Sequence, residues 1–197
     1  MEPSEAQRRL LDAAVDAFAD QGFGGTSTRD IAERAGRSPG ALYIHYPSKE
    51  AVLHAVSLAG HVDALDCLTR ASASSQDAAE RLHRMVFAFS SWHMDNAKVG
   101  RVVQYELHAL SEDHRDEIVA LRRRSHRIMA DALADGVRTD QFHVDDLEGT
   151  ARALLSLCID LVRWFDPALS RDPVAVARLN ADLSLRIVGF STPGGHP

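Results

Sequence analysis

Groups able to hold a phosphate are concentrated in one short stretch, residues 36–50, which reads GRSPGALYIHYPSKE. Tyr43, His45 and Tyr46 place hydroxyl and imidazole donors within four residues, and Lys49 adds an ammonium group. A cation in the first turn of a helix is unfavourable, because the helix dipole is positive there. A phosphate partner for Lys49 would remove that objection. The stretch therefore predicts a phosphate-binding surface, and the alternative is a plain helical connector in which Tyr43 is a core ring.

A catalytic interpretation has less support. The ten histidines are scattered, and the chain has no Gly-x-Ser-x-Gly elbow, glycine-rich phosphate loop or His-x-x-x-His pair with an added carboxylate. Cys67 and Cys158 lie far apart without metal-ligand spacing, which favours reduced thiols. We therefore expect no enzyme, no catalytic residue, no metal site and no cofactor. A metal-responsive regulator and a helical interaction module that does not bind DNA remain as alternatives.

Helix-breaking residues divide the first 70 residues into four predicted helices. Residues 5–21 carry apolar side chains at steps of one, three and four, which is the spacing of one helical face. A second helix is predicted to be capped by Thr28 and to stop at Gly36. A third ends before Pro47, because proline disfavours a helical conformation in the residue before it. The fourth follows over about 48–70.

The second and third predicted helices have the spacing of a helix-turn-helix motif. About three residues around Gly36 join them, and Ser38 with Pro39 begins the third helix. In this motif the N-terminal end of the second helix lies nearest the bases in the major groove. The small residues Gly40 and Ala41 let the backbone approach closely there. The motif predicts DNA binding.

Residues 9–56 resemble the DNA-binding domain of the TetR/AcrR family of transcriptional repressors. The matching features are separately placed along the segment: Gly22, the Thr-x-Asp-Ile-Ala run at 28–32, Gly36, Leu42-Tyr43, His45 and Lys49-Glu50. The resemblance implies a homodimeric repressor that binds a palindromic double-stranded DNA operator. It also implies DNA-binding heads at one end and all-helical ligand-binding bodies at the other.

The resemblance also implies roles for individual residues. Phosphate contacts fall to Ser27, Thr28, Tyr43, His45, Tyr46 and Lys49. Base-edge contacts fall to Arg29, Pro39, Gly40, Tyr43 and Ile44, and Ser38 with Ala41 completes the predicted DNA-binding set. Arg29 is the one long donor among them that can pair bidentately with guanine.

Bulk charge does not favour a general polyanion binder. The formal net charge is −6, and residues 1–60 are themselves slightly acidic. DNA binding must therefore depend on a local arrangement of donors.

The remainder of the chain predicts an all-α body. Helical patterns cover about 77–94, 97–110, 113–136, 145–166 and 172–190, and no stretch alternates with period two for long. The expected fold is an N-terminal three-helix helix-turn-helix domain, residues 1–50, followed by a helical bundle for effector binding and dimerisation, residues 51–197. The fourth helix, about 48–70, links the two.

The body is predicted to bind a small, largely apolar effector, either acyl-CoA-like or another hydrophobic metabolite. Aromatic and polarisable side chains at 85–108 suit an apolar cleft with a few polar handles, although most aromatics at helical spacing are core. The segment LVRWFDP, residues 161–167, looks similar to a segment of family members that sense acyl-CoA thioesters. The candidate ligand-binding residues are Phe87, Trp92, Met94, Tyr105, Glu106, His108, Cys158, Arg163 and Trp164.

Two long apolar stripes near the C-terminus exceed what one small domain needs to bury. By the resemblance, the last two long helices of each protomer form the dimer interface. The predicted interface residues are Leu154, Leu155, Leu161, Val162, Leu179, Leu183 and Ile187. No run of about 18 apolar residues and no secretory signal pattern is found, so we expect a cytoplasmic protein without a membrane partner.

Overall fold

The computed structural model describes residues 4–166, 168 and 172–190, and within them it contains helices and turns but no strand. The elements in chain order are α1 Glu5–Gly25, α2 Thr28–Arg34, α3 Pro39–His45, α4 Lys49–Ser72, α5 Ala78–Asp95, α6 Ala97–Tyr105, a 3₁₀ turn Leu107–Ala109, α7 Glu112–Arg138, α8 Leu147–Ile159, α9 Leu161–Trp164 and α10 Pro173–Ile187. The predicted all-α class, with an N-terminal helix-turn-helix followed by a helical body, is confirmed.

The chain folds into two compact units. The first comprises Met1–Val62 and Lys98–Ala120, and the second comprises Asp63–Ala97 and Leu121–Pro197. The helices predicted to bind DNA thus share a unit with α6 and the beginning of α7, which lie beyond the predicted boundary at residue 50.

The first unit is organised around one fully buried residue from each of its N-terminal helices. Leu10 of α1, Ile31 of α2, Leu42 of α3 and Leu53 of α4 are all almost completely excluded from solvent. Burying each of these side chains contributes about 1.5–3 kcal/mol. This core fixes the short helices α2 and α3, which lack the length to be stable alone.

The second unit is organised around α5, which packs against α8 and α10. Its core contains Leu82 and Met85 of α5 and Leu154 of α8, all fully buried. The ring of Phe142 lies against Gly136 near the end of α7, so close that an added Cβ at Gly136 would be 1.9 Å from the ring atom Cδ2. Glycine is therefore required at position 136 for packing.

Three local predictions differ from the structure. The cap of α2 is Ser27, and Thr28 is the first helical residue. The helix predicted over 97–110 ends at Tyr105 and is followed by a 3₁₀ turn. The helix predicted over 145–166 is interrupted at Asp160, which separates α8 from α9.

Helix α4 is long and apolar enough, by length and composition alone, to span a membrane. Its apolar side chains are used inside the protein, however: Val52, Leu53, Val56 and Leu68 are buried. Core packing therefore explains the apolar composition of α4.

Candidate nucleic-acid interface

The start of α2 is fixed by a reciprocal cap. The Ser27 hydroxyl accepts a hydrogen bond from the Asp30 N–H at 3.1 Å, and the Asp30 carboxylate accepts from the Ser27 N–H at 2.8 Å and its hydroxyl at 2.7 Å. This is a capping box, which satisfies two otherwise unpaired N–H groups. The bonds from Ser27 lower the pKa of Asp30. The hydroxyl proton of Ser27 is thus engaged inside the cap.

Helices α2 and α3 are joined at the surface by two of the predicted phosphate donors. The Thr28 hydroxyl and the Tyr43 phenol lie 3.0 Å apart, so one donates to the other. Tyr43 is 53% exposed despite this contact. The pair fixes the register of α3 against the start of α2 and leaves the phenol open to a phosphate oxygen.

Gly36 makes the turn between the two helices possible. Its φ is 65°, a left-handed conformation that favours glycine. The N–H of Arg37 then donates to the Ala32 carbonyl at 2.8 Å, and the N–H of Gly36 donates to the Glu33 carbonyl at 3.0 Å. These bonds are the helix-ending pattern that glycine stabilises after a helix C-terminus.

Helix α3 presents small and apolar groups outward. Pro39 and Gly40 are exposed at its beginning, and Ile44 is 78% exposed at its end. Leu42 is turned into the core. Because the Ile44 side chain is exposed to water, its burial against a binding partner would be energetically favourable.

Arg29 lies on the exposed face of α2. Its Nε donates to the Glu33 carboxylate at 2.8 Å, one helical turn away, and both side chains are largely exposed. An exposed pair of this kind contributes little to stability. The bond engages Nε alone among the guanidinium nitrogens, so the terminal nitrogens keep the bidentate geometry that guanine requires.

His45 and Tyr46 end α3 as half-buried residues with ring centroids 6.4 Å apart. Burial raises the pKa of Tyr46, so its phenol remains a proton donor at neutral pH.

Lys49 has internal partners. Its ammonium group donates to the carbonyls of Phe23 at 2.6 Å and Thr26 at 2.7 Å, and it lies 4.2 Å from the centroid of the Phe23 ring. These contacts offset the unfavourable interaction between the Lys49 ammonium and the dipole at the beginning of α4. A phosphate is not needed to explain its position.

A second group of polar side chains joins α4 to the beginning of α7. The Glu50 carboxylate accepts from the Ser111 N–H at 3.0 Å and from His114 Nδ1 at 2.7 Å. The His114 ring stacks on His54 with centroids 3.7 Å apart, and His54 Nε2 lies 2.8 Å from the Glu117 carboxylate. Burial opposes ionisation of Glu50, but the hydrogen bonds from Ser111 and His114 outweigh it and lower its pKa.

The predicted ligand-binding residues are divided between the two units. Tyr105, Glu106 and His108 belong to the first unit, and the Glu106 carboxylate accepts from the Phe23 N–H at 3.1 Å. The other six belong to the second unit: Phe87, Trp92, Met94, Cys158, Arg163 and Trp164. Neither unit therefore contains all nine of the predicted ligand-binding residues.

Within the second unit, Phe87 and Met94 share an apolar cluster with Leu161 and Phe165. The Trp92 indole donates to the Asp63 carboxylate at 2.7 Å. Arg163 is paired with Asp160 at 3.0 Å, and Trp164 is largely exposed.

The second unit also contains the buried polar residues His93 and Asn180, which were not among the predicted ligand-binding residues, and the predicted residue Cys158. His93 is 5% exposed, its Nδ1–H donates to the Phe89 carbonyl at 2.7 Å, and burial lowers its pKa to about 4, so its imidazole is neutral. Asn180 donates to the Ser90 hydroxyl at 3.2 Å. Burial raises the pKa of the Cys158 thiol to about 12. The apolar spacing of α5 predicts a buried helical face near position 93, but it does not identify which polar residues are buried there.

Four predicted interface residues are buried within the chain. Their side chains are buried and offer no surface to a partner chain: Leu154, Leu155, Leu161 and Val162. Leu179 and Ile187 are 48% and 49% exposed, and Leu183 between them is half-buried. These three repeat every four residues along one face of α10.

Within the described part of the chain, no group of three or more histidine, cysteine, aspartate or glutamate side chains is arranged to hold a metal ion.

Two family profiles match most of the sequence. Residues 10–56 match the profile described as bacterial regulatory proteins, tetR family, and residues 75–188 match the tetracyclin repressor-like C-terminal domain. The HTH-type transcriptional repressor KstR2 of Rhodococcus jostii (strain RHA1) is 30% identical over 195 residues, which cover 96% of this chain and 93% of that protein. The chain belongs to the TetR family. This TetR-family protein is accordingly a DNA-binding transcriptional repressor and not an enzyme, which sets aside the interaction module that does not bind DNA.

Solved structures agree with the assignment. A bacterial regulatory protein of the tetR family from Rhodococcus RHA1 is 39% identical to this TetR-family protein and superposes with a TM-score of 0.92, covering 96% of this chain and 100% of that chain. AibR, solved in complex with isovaleryl coenzyme A and operator DNA, has a TM-score of 0.83 and covers 91% of this chain and 97% of its own. Its identity is 21%, so that likeness establishes the fold alone.

Proposed function

We propose that this protein represses transcription as a cytoplasmic homodimer that places α3 of each protomer in successive major grooves of a palindromic operator. The observation that carries the proposal is the Thr28–Tyr43 hydrogen bond, which holds α3 against α2 with Tyr43 and Ile44 exposed. A rigid short helix with an exposed end is the geometry that groove insertion requires.

The donors around α3 supply the phosphate contacts. Thr28 and Tyr43 act together because a phosphate oxygen can accept from the phenol while the phenol accepts from the threonine. Ser27, His45, Tyr46 and Lys49 belong to the same proposed set. Lys49 contributes its third ammonium proton, since the other two are donated to carbonyls. Ser27 contacts phosphate by exchanging its hydroxyl bond to Asp30 for one to a phosphate oxygen. Ser38 begins α3 without a side-chain capping bond, so its hydroxyl is available.

Sequence recognition falls to the remaining exposed residues. Arg29 reads guanine through its terminal guanidinium nitrogens. Ile44 makes an apolar contact with the methyl group of thymine, which is the base feature that an isoleucine can distinguish. Pro39, Gly40 and Ala41 let the beginning of α3 approach the base edges closely.

The exposed face of α10 forms the dimer interface in this proposal. Leu179, Leu183 and Ile187 present a continuous apolar strip, and burial of such a strip is favourable by about 25 cal/mol per Å². A homodimer pairs this strip with its own copy across a two-fold axis.

Replacement of Leu179 by glutamate is expected to raise the dimer dissociation constant by about 100-fold, because a charge at a buried interface must be desolvated. Sedimentation equilibrium measures the constant. Val137→Glu is the matched control, since Val137 is an exposed apolar residue of α7 at 38% exposure. An unchanged dimer in Leu179→Glu would remove α10 from the interface.

The effector is a small, largely apolar metabolite, and acyl-CoA thioesters are the first class to test. The apolar cluster of Phe87, Met94, Leu161 and Phe165 in the second unit supports an apolar ligand. Trp92, Cys158, Arg163 and Trp164 remain candidate contacts in the same unit. Isovaleryl coenzyme A bound to AibR supports the thioester class, at the level of shared fold.

Selection of DNA from a random duplex pool tests the proposal. The wild-type protein is expected to enrich a palindrome that binds two protomers, with log Kd rising linearly against log salt. Titration of isovaleryl coenzyme A then tests whether that complex dissociates. Failure to enrich any sequence, at low salt as well as at high salt, would contradict operator binding.

A further inference from the structure

The backbone at Phe23, near the end of α1 and just after its break at Gly22, is held on both sides by charged side chains from distant parts of the sequence. The Phe23 N–H donates to the Glu106 carboxylate at 3.1 Å. The Phe23 carbonyl accepts from the Lys49 ammonium at 2.6 Å. Hydrogen bonds to charged groups are stronger than those between neutral groups. We call these residues, Phe23 with Lys49 and Glu106, the Phe23 clamp.

The clamp holds the segment that decides where α2 begins. Gly22 leaves the helical conformation with φ 70° and ψ 167°, which interrupts α1. The second Lys49 bond goes to the Thr26 carbonyl at 2.7 Å, next to the cap of α2 at Ser27. The Thr26 hydroxyl lies near both the Ala17 carbonyl, at 3.1 Å, and the Gly22 carbonyl, at 2.8 Å. Lys49 of α4 therefore donates hydrogen bonds to two carbonyls of this turn, and the Glu106 carboxylate accepts a hydrogen bond from its Phe23 N–H.

The ammonium of Lys49 has three protons to donate. Two of them are directed to the carbonyls of Phe23 and Thr26, and the Phe23 ring lies beneath the group. The side chain is half-buried. These contacts direct the ammonium into the protein, where it donates to the Thr26 carbonyl and to the Phe23 carbonyl, which also accepts a longer bond of 3.4 Å from the Thr26 N–H.

We infer that Lys49 and Glu106 are positioning residues for DNA binding, which set the α1–α2 turn and through it the placement of α2 and α3. Lys49 acts through the turn and not by neutralising a phosphate, which revises its place among the proposed phosphate donors. Glu106 lies in the segment that matches the family's C-terminal profile, yet its carboxylate holds the backbone of the DNA-binding unit. The inference rests on the proposed operator binding.

The salt dependence of binding separates the two roles of Lys49. Each phosphate contact adds about 0.9 to the slope of log affinity against log salt. We therefore compare Lys49→Met with Lys98→Met on a duplex selected by the wild-type protein, at several KCl concentrations. Lys98 is paired with Asp16 at 2.6 Å on the surface and controls for the lost charge. Methionine keeps an apolar stem beside the Phe23 ring.

The expected result for Lys49→Met is a loss of affinity of about tenfold at every salt concentration, with a slope parallel to that of the wild type. Lys98→Met is expected to remain near wild-type affinity. A decrease of the slope by about 0.9 per protomer in Lys49→Met, beyond that in the control, would show a phosphate contact and overturn the positioning role.

Glu106 provides a second variant that leaves Lys49 intact. Glu106→Ala is expected to weaken operator binding by about tenfold, and Glu106→Gln is expected to restore it because an amide oxygen also accepts from the Phe23 N–H. Wild-type affinity in Glu106→Ala would contradict the inference.

Hydrogen exchange at the Phe23 amide gives a readout independent of DNA. Exchange is expected to accelerate about tenfold in Glu106→Ala and to stay slow in Glu106→Gln. Unchanged exchange in Glu106→Ala would overturn the clamp even if operator binding is intact. An intact clamp in a protein that selects no DNA would overturn the proposed function alone.

Discussion

Replacing Gly136 by alanine is expected to lower the free energy of unfolding by about 3 kcal/mol. An added Cβ would lie 1.9 Å, 2.2 Å and 2.6 Å from the Cδ2, Cε2 and Cγ atoms of the Phe142 ring. The ring is buried in the core of the second unit and cannot move aside without displacing its neighbours. Urea unfolding monitored by circular dichroism measures the change.

Gly24→Ala is the matched control, because nothing lies within 4 Å of the Cβ that alanine would add there. Neither glycine has a positive φ, so backbone strain does not distinguish them. The control variant is expected to stay within about 1 kcal/mol of the wild type. Equal unfolding midpoints for both variants would contradict the packing argument.

A double-mutant cycle with Phe142→Leu tests whether contact with the Phe142 ring causes the destabilisation by Gly136→Ala. Leucine removes part of the ring that the added Cβ would meet, so Gly136→Ala is expected to cost less in the Phe142→Leu background. A coupling energy of about 1 kcal/mol or more is expected for residues in direct contact. Additive changes in the free energy of unfolding would show that contact with the Phe142 ring is not the cause of the destabilisation.

Arg29→Ala and Tyr43→Ala are each expected to abolish measurable operator binding while the protein remains folded. Loss of a bidentate guanine contact costs about 1–3 kcal/mol in each half-site, and the proposed dimer loses it twice. Both side chains are exposed, so the unfolding free energy is expected to change by no more than about 0.5 kcal/mol. Electrophoretic mobility shift with the selected duplex measures binding.

Arg9→Ala is the matched control for Arg29→Ala. Arg9 donates to Glu5 one turn away on α1, as Arg29 does to Glu33 on α2, and both pairs are exposed. The two variants lose the same charge, so a difference in affinity reports the position of the arginine. An unchanged shift with both Arg29→Ala and Tyr43→Ala would remove α2 and α3 from the proposed interface.

The DNA-binding helices could be predicted well because their signals are local. Gly36 needs a positive φ, Pro39 begins a helix and Pro47 ends one, and each requirement is met within a few residues. The one-residue difference at the α2 cap, Ser27 in place of Thr28, arises because both residues can cap a helix.

Contacts between distant segments could not be predicted in the same way. The carbonyl partners of Lys49 are about 25 residues away in the chain, and the Phe23 partner of Glu106 is 83 residues away. An apolar stripe likewise shows that a face is covered without showing what covers it. Leu154 is covered by other residues of the same chain, whereas Leu179 of the following stripe is exposed.

The composition of the first unit determines where this regulator can be cut to build hybrids. The N-terminal family profile ends at residue 56, but the compact unit also contains residues 98–120. A chimera joined at 56 would take the Phe23 N–H away from Glu106, and the Glu50 carboxylate away from Ser111 and His114. A transferable DNA-reading module therefore consists of two separate pieces of chain, and a hybrid repressor keeps its recognition helices in place when both are transplanted together.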